Sequence, residues 1–568
     1  MDAFRASAEF DEQWYLNEYP DVARSGIDPA RHYLWIGRSL GRQASPAAYN
    51  RQNGVGLHWC IIATPHVLFI AHCLAKSLER HGWDVEIVME PPAAFHHDYY
   101  IVLCAQMFEI LPPGEKRIIY QLEQSASSRW FGQKYLYDLE NSLAVLDYSL
   151  ENIEFFETKG IRYPQVYYVP IGASSSYGWS SEGRKDIEVL FYGDFKSSTR
   201  RRLLLDSLAG KFNVFRADDV FAEDIKSLIS RSKVVLNLHY YDGAQLEMPR
   251  IQECLSLGVP VVSEDTGDMS DYPQLGDAVA FFETGNVSAM VEAINKVLNG
   301  DSPRKSSIRS AVEDGQRRHD FMVDRVLMGL SILPSSALDK FEHEPIRDGD
   351  ILALSLPETI ERRRIFDAEI RTPQIRTFDG IRRSPGWIGC GMSYKYLCQS
   401  AFRSGVEQFT IVEDDVLFTE GFGEKIKSVH QYLKSRSGEW DIFSGVIAHL
   451  HDDVKVLKVE NFNGIDFVTI DKMTSTVFNI YGSRALEMIS KWDPCDLNAA
   501  SNTIDRYLEN SNLRIVVAHP YVAGHREELT STLWGFENTQ YRDMINESER
   551  KLGQLKAQWI ESRGLQLA

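Results

Sequence analysis

Apolar and polar positions follow three different rhythms along this chain. Between residues 55 and 300, short apolar runs alternate with longer stretches of helical spacing. Runs at 57–63, 85–89, 99–104, 117–121, 143–148 and 166–169 read as strands. A second series, at 187–192, 213–215, 234–238, 259–263 and 278–282, begins after the turn-rich Gly172-Ala173-Ser174-Ser175-Ser176. Nearly unbroken apolar strands alternating with helices predict parallel sheets covered on both faces. Residues 301–332 read as a charged helical segment, and 333–348, with Pro334 and Pro345, as a linker. Strand rhythm resumes at Ile351-Leu352-Ala353-Leu354, followed by a basic helix start at Arg362-Arg363-Arg364. The first 50 residues stand apart. Trp14, Tyr15, Tyr19, Tyr33 and Trp35 fall where short helices would pack them into a small core, although such aromatics also stack sugar rings.

One apolar run ends in three carboxylates. Residues 409–412 read as a buried strand, Glu413-Asp414-Asp415 follow, and Val416-Leu417-Phe418 resume the apolar pattern. Ligands of open α/β sheets gather at strand ends. Adjacent acids there repel unless a cation or a donor-rich ligand neutralises them, and hard oxygen ligands suit Mg²⁺ or Mn²⁺. An acidic surface loop accounts for the stretch 411–418 equally well.

A chain of 568 residues exceeds one core and predicts about three domains. Its 44% hydrophobic and 25% charged content is that of an ordinary globular protein. A net charge of −19 argues against nucleic acid as a partner and against broad binding to anionic lipid. The seven cysteines include no Cys-x-x-Cys pair, which fits a reducing compartment without structural zinc. No secretory leader or membrane span is apparent, so a cytoplasmic protein is expected, with peripheral association at the inner membrane face left open.

Residues 349–535 resemble glycosyltransferase family 25, the lipopolysaccharide and procollagen galactosyltransferase group. The resemblance rests on Leu356-Pro357 followed by Arg362-Arg363, on Asp379-Gly380, on Gly389-Cys390 with Ser393, and on Glu413-Asp414-Asp415, in the family's order. The family's His after the Ser is Tyr394 here. The resemblance implies a GT-A-like domain over 349–568 and inverting, metal-dependent transfer from a UDP-sugar. It implies Mn²⁺ or Mg²⁺ held by Asp414 and Asp415, with His525 completing the shell, and nucleotide-sugar contacts from Arg362, Asp379 and Glu413. Asp505 matches the late acidic position and is the candidate general base; a helix-start acid stabilised by the dipole is its alternative role.

The segment Gln245-Leu246-Glu247 through Glu253 to Gly258-Val259-Pro260-Val261-Val262 is similar to the donor-binding segment of retaining GT-B glycosyltransferases. Glu253 takes the position that accepts ribose hydroxyls, while the first Glu of the pattern falls at Gln245, with Glu247 two residues on. The similarity implies a GT-B double Rossmann-like domain over 55–332, with halves 55–175 and 176–332 and no cofactor. Gly193-Asp194-Phe195-Lys196 opens a helix after a strand, so Lys196, Arg200 and Arg201 suit a diphosphate, or a basic surface helix start. His66 and Glu123 end strands that would face the cleft. Residues 1–50 are similar to a small helical module appended to bacterial glycan-processing proteins.

The expected protein is therefore an α/β chain with a small N-terminal helical module, a GT-B domain and a GT-A-like domain. The resemblances imply a bifunctional bacterial hexosyltransferase adding sugars from nucleotide-sugar donors to a glycan or lipid-linked glycan acceptor of lipopolysaccharide, capsule or similar type. A single GT-A activity with an acceptor-binding GT-B-like module, and a non-catalytic assembly scaffold, are the alternatives.

Overall fold

The computed structural model describes residues 10–38, 42–46, 56–125, 130–178, 184–301, 303–369, 375–532 and 537–564. The ends of the expected N-terminal module lie outside them. Two compact units divide the chain, Met1–Asp324 and Arg325–Ala568.

The first unit opens with helices Glu12–Glu18, Pro20–Ser25 and Pro29–His32. Asp11 and Asp28 cap the first and third by accepting from the Trp14 and Arg31 amides. Phe10, Tyr15, Val22, Ala30 and Ala44 form their core, with Trp14, Tyr19 and Tyr33 packed against it. Trp35 is 71% exposed and takes no part in that core.

Two wholly parallel sheets follow. The first contains β1 (His58–Ile62), β2 (Asp84–Val88), β3 (Tyr99–Leu103), β4 (Arg117–Gln121), β5 (Ala144–Asp147) and β6 (Val166–Tyr168), in the order β2-β1-β3-β4-β5-β6. The second contains β7 (Ile187–Tyr192), β8 (Val214–Ala217), β9 (Ser232–Asn237), β10 (Val261–Glu264) and β11 (Val279–Phe282), ordered β11-β10-β9-β7-β8. Each expected strand is present within two residues, because the central strands are buried on both faces and their sequences are correspondingly apolar. This is the pair of Rossmann-like halves expected for a GT-B domain. Helix Lys305–Gly329 crosses back to the first half. Asp320 accepts from Ser77 Oγ at 2.5 Å, and Asp324 accepts from Arg80 Nη2 at 3.1 Å.

The second unit is built on a mixed eight-stranded sheet. Its strands are β12 (Ile351–Ser355), β13 (Ile375–Asp379), β14 (Gln408–Glu413), β16 (Ile442–Ser444), β17 (Val456–Phe462), β18 (Ile465–Ile470), β19 (Phe478–Gly482) and β20 (Ile515–His519). Their order is β13-β12-β14-β19-β16-β20-β18-β17. A short ribbon of β15 (Val416–Phe418) and β21 (Ala523–His525) stands beside it. Because β12, β13 and β14 are parallel, Ser355, Asp379 and Glu413 end at one sheet edge. The expected linker holds a 3-10 turn, Ser335–Lys340, with Ala337 and Leu338 buried. Among the described residues no helix is long and apolar enough to cross a membrane.

Candidate functional site

Each unit gathers the residues singled out in its sequence at the C-terminal edge of parallel strands. In the first unit, β7 ends at Tyr192 and turns through Gly193, whose φ of 111° strains any other residue. A Cβ there would also stand 2.9 Å from Arg250 Nη2. Ser198 then caps helix Thr199–Asp206, which presents Arg200 and Arg201.

Both arginines are already engaged by acids. Arg200 meets Glu264 in a two-pronged pair at 2.5 and 2.7 Å and Asp242 at 2.6 Å. Arg201 Nη2 donates to Glu247 Oε1 at 2.6 Å, while its other nitrogens reach the Leu238 and Asp194 carbonyls. Arg250 grips the second Glu247 oxygen at 2.5 Å. Burial alone would raise the Glu247 carboxyl, but Arg250 and Arg201 outweigh it and hold the pKa down. Lys196 is largely exposed and pairs with Asp218 at 2.8 Å.

Glu253 lies on helix Met248–Ser256 and accepts from the Tyr177 hydroxyl at 3.0 Å and from Tyr192 at 3.4 Å. Burial pushes its carboxyl up to about 7 despite those bonds. Gln245 reaches into the other half, donating to Glu151 Oε2 at 2.7 Å. Around this edge Gln245 Oε1, both His239 ring nitrogens, Arg250 Nε and Thr266 Oγ1 are buried without a hydrogen-bond partner among the described residues. Orphaned polar atoms in such number mark a place that a polar ligand can satisfy. Burial lowers the His66 pKa, and its ring lies 3.6 Å from Cys104 Sγ; the Glu123 carboxylate accepts from Gln106.

In the second unit the three acids leave β14 together. Asp414 accepts from Ser355 Oγ at 2.8 Å and from Arg362 Nη2 at 2.5 Å, and the same nitrogen reaches Asp415 Oδ2 at 3.0 Å. Arg362, on helix Ile360–Glu369, thus supplies the neutralising charge that the sequence assigned to an added cation or ligand. His525 Nε2 stands 3.3 Å from Asp415 Oδ2, and Asn538 Nδ2 donates to the same oxygen. Burial would raise the Asp415 carboxyl, but His525 and Arg362 more than offset it and hold it well below the usual range. Glu413 behaves oppositely: burial, then the Asp415 charge, push it up to about 7. Tyr394, where the family has His, brings its hydroxyl to 3.2 Å from Glu413.

Asp379 sits at the same sheet edge, 3.4 Å from Arg363. Asp505 is half-buried in the first turn of the short helix Ile504–Glu509. After burial itself, the charges of Glu413, Asp505 and Asp415 all act on the Cys390 thiol and on Tyr541. Ser355, Asn538, Glu264, Tyr177 and Glu151 were missed in sequence; nothing in local spacing marks them.

Residues 182–323 match the family described as Glycosyl transferase-like, and residues 380–489 match Glycosyltransferase family 25 (LPS biosynthesis protein). No curated protein matches. Similar solved structures include Anabaena HepE in complex with UDP and glucose, 14% identical, covering 49% of this chain and 100% of that chain at a TM-score of 0.36. AviGT4, a glycosyltransferase involved in avilamycin A biosynthesis, is 13% identical over 48% of this chain and 97% of its own, TM-score 0.34. Sucrose-phosphate synthase from Thermosynechococcus elongatus is 12% identical over 49% and 96%, TM-score 0.31. With a glycosyltransferase family matched in each unit, the chain is a glycosyltransferase.

Proposed function

We propose that the protein adds sugars from nucleotide-sugar donors to a bacterial surface glycan of lipopolysaccharide or capsule type, with one transfer centre in each unit. It works in the cytoplasm, at the inner membrane face when its acceptor is lipid-linked. The observation that carries this reading is the convergence of Glu413, Asp414, Asp415, Arg362 and His525 at one sheet edge in the second unit.

That site suits Mn²⁺ or Mg²⁺. Asp415 Oδ1 and His525 Nδ1 are buried without hydrogen-bond partners among the described residues, and carboxylates with an imidazole are fitting donors. Asp414, Asp415 and His525 would hold the ion, which supplies positive charge for a departing diphosphate. Arg362 pairs with both aspartates, and Glu413 and Asp379 face the nucleotide of a UDP-sugar. Asp505 takes the proton of the acceptor hydroxyl as that oxygen bonds to the anomeric carbon. The bond from that carbon to the nucleoside diphosphate breaks, and configuration inverts.

In the first unit the ligand-seeking polar edge is the proposed second donor site. Lys196, Arg200 and Arg201 face the diphosphate, Glu253 the ribose and Glu247 the sugar, without a metal. The clamp of Arg201 and Arg250 on Glu247, and Gln245 in place of an acid, favour a second reading in which this unit binds acceptor only. Mass-detected transfer from a panel of nucleotide sugars by wild type, Asp415→Ala and Glu253→Ala separates the two. Two products, each lost in one variant, support two centres. A single product lost in Asp415→Ala supports one centre, and no transfer from any donor rejects both.

A further inference from the structure

One row of the first sheet carries a donor set that sugar transfer does not use. Cys60 on β1 and Glu86 on the edge strand β2 are register partners, which puts their side chains side by side on one face. Tyr100 on β3 continues the row. His97, in the loop before β3, is tied to it. Its backbone N–H donates to the Tyr100 hydroxyl at 2.8 Å, and its carbonyl accepts from Lys116 Nζ at 3.1 Å. The imidazole Nε2 lies 3.2 Å from Glu86 Oε2, whereas Nδ1 is buried with no hydrogen-bond partner among the described residues. One ligand atom each from Cys60, Glu86 and His97 lie within 4.8 Å of one another.

A simple His–Glu pair accounts for the Nε2 contact but leaves Nδ1 and the thiol unused. A thiol, an imidazole and a carboxylate from three chain segments are the donors of a zinc site with an open fourth position. We propose that Cys60, Glu86 and His97 bind one Zn²⁺ ion at the edge of this sheet. The ion would pin β2 and the loop before β3 to β1. Burial, then the Glu86 charge, push the thiol up to about 12, so it is protonated in the free protein. Its proton leaves to solvent as the sulfur–metal bond forms. The Glu86 side chain is 60% exposed, which gives the ion a way in.

The test uses the full chain, stripped by chelator and titrated with Co²⁺ as a coloured stand-in for Zn²⁺. Thiolate-to-cobalt charge-transfer absorption should rise to saturation with added Co²⁺ and be bleached by Zn²⁺. Cys60→Ser should abolish the band. Cys495→Ser, at the exposed cysteine, should leave it unchanged. Glu86→Gln, at a largely exposed side chain, should weaken Co²⁺ binding by at least the roughly tenfold typical of outer-shell losses. A band surviving in Cys60→Ser, unchanged affinity in Glu86→Gln, or no thiolate band in wild type each overturns the assignment.

Discussion

At the scale of single residues, the charge balance around Asp414 and Asp415 governs the second unit. Arg362 bridges both aspartates and is buried with them. Burial works against its charge, and the two aspartates outweigh that cost and raise its pKa. Replacing Arg362 with Met strands two buried carboxylates, and breaking a buried pair costs about 3–5 kcal/mol. Arg362→Met should therefore lower the calorimetric melting temperature; an unchanged transition would mean that solvent does the balancing. Asp505→Asn keeps shape and hydrogen bonding but cannot accept a proton. It should slow the second unit's transfer by about 10²–10⁴-fold with donor affinity nearly unchanged. Near-normal kcat in a folded Asp505→Asn protein reduces Asp505 to a helix-start acid worth less than about 1 kcal/mol.

Glu253 gives a pH signature. Its free carboxyl ionises near 7, and a ribose diol, a hydrogen-bond donor, favours the ionised form. Binding thus lowers its pKa. Affinity should be constant above the free-state value and fall as pH drops through about 7, by up to about tenfold per unit. Calorimetry of nucleotide binding at several pH values checks this, with Glu253→Gln losing the dependence. A flat wild-type profile removes Glu253 from the ribose.

At the scale of elements, the Gly-Cys-x-x-Ser motif proves to be a packing device. Helix Gly386–Ser404 passes so close to the preceding turn that a Cβ on Gly389 would meet Ile381 O at 2.6 Å and Arg383 N at 2.8 Å. Ser393 fastens that turn by accepting from the Ile381 amide at 2.8 Å. Gly→Ala inside a helix ordinarily gains up to about 1 kcal/mol. Here the obstacle is backbone, and Gly389→Ala should instead cost about 1–3 kcal/mol. A raised melting temperature would contradict that close approach. The same comparison shows what sequence can carry. Strands such as 117–121 and 187–192 were readable because a doubly covered parallel strand is largely apolar. The acids after β14 were readable as a cluster. Their partners were not: Arg362 lies 52 positions before Asp414, and Asn538 lies 123 after Asp415. Arg200 and Arg201 read alike, yet one turns to Glu264 and the other to Glu247, 64 and 46 positions away. Contacts at such separations leave no trace in local spacing.

At the scale of the whole molecule, two compact units carry two family matches and two polar sheet edges of unlike character. The second unit concentrates carboxylates around one arginine and one histidine. The first engages its arginines with acids and leaves buried polar atoms without partners among the described residues. The proposed division of labour between two transfers rests on that contrast, and the acidic edge of the second unit is its central claim. Asp415→Ala in the full chain, with products followed by mass over a panel of nucleotide sugars, tests it most directly. The account predicts a folded protein that has lost one product and kept any product formed by the first unit. Every product formed at wild-type rate in that variant would contradict it.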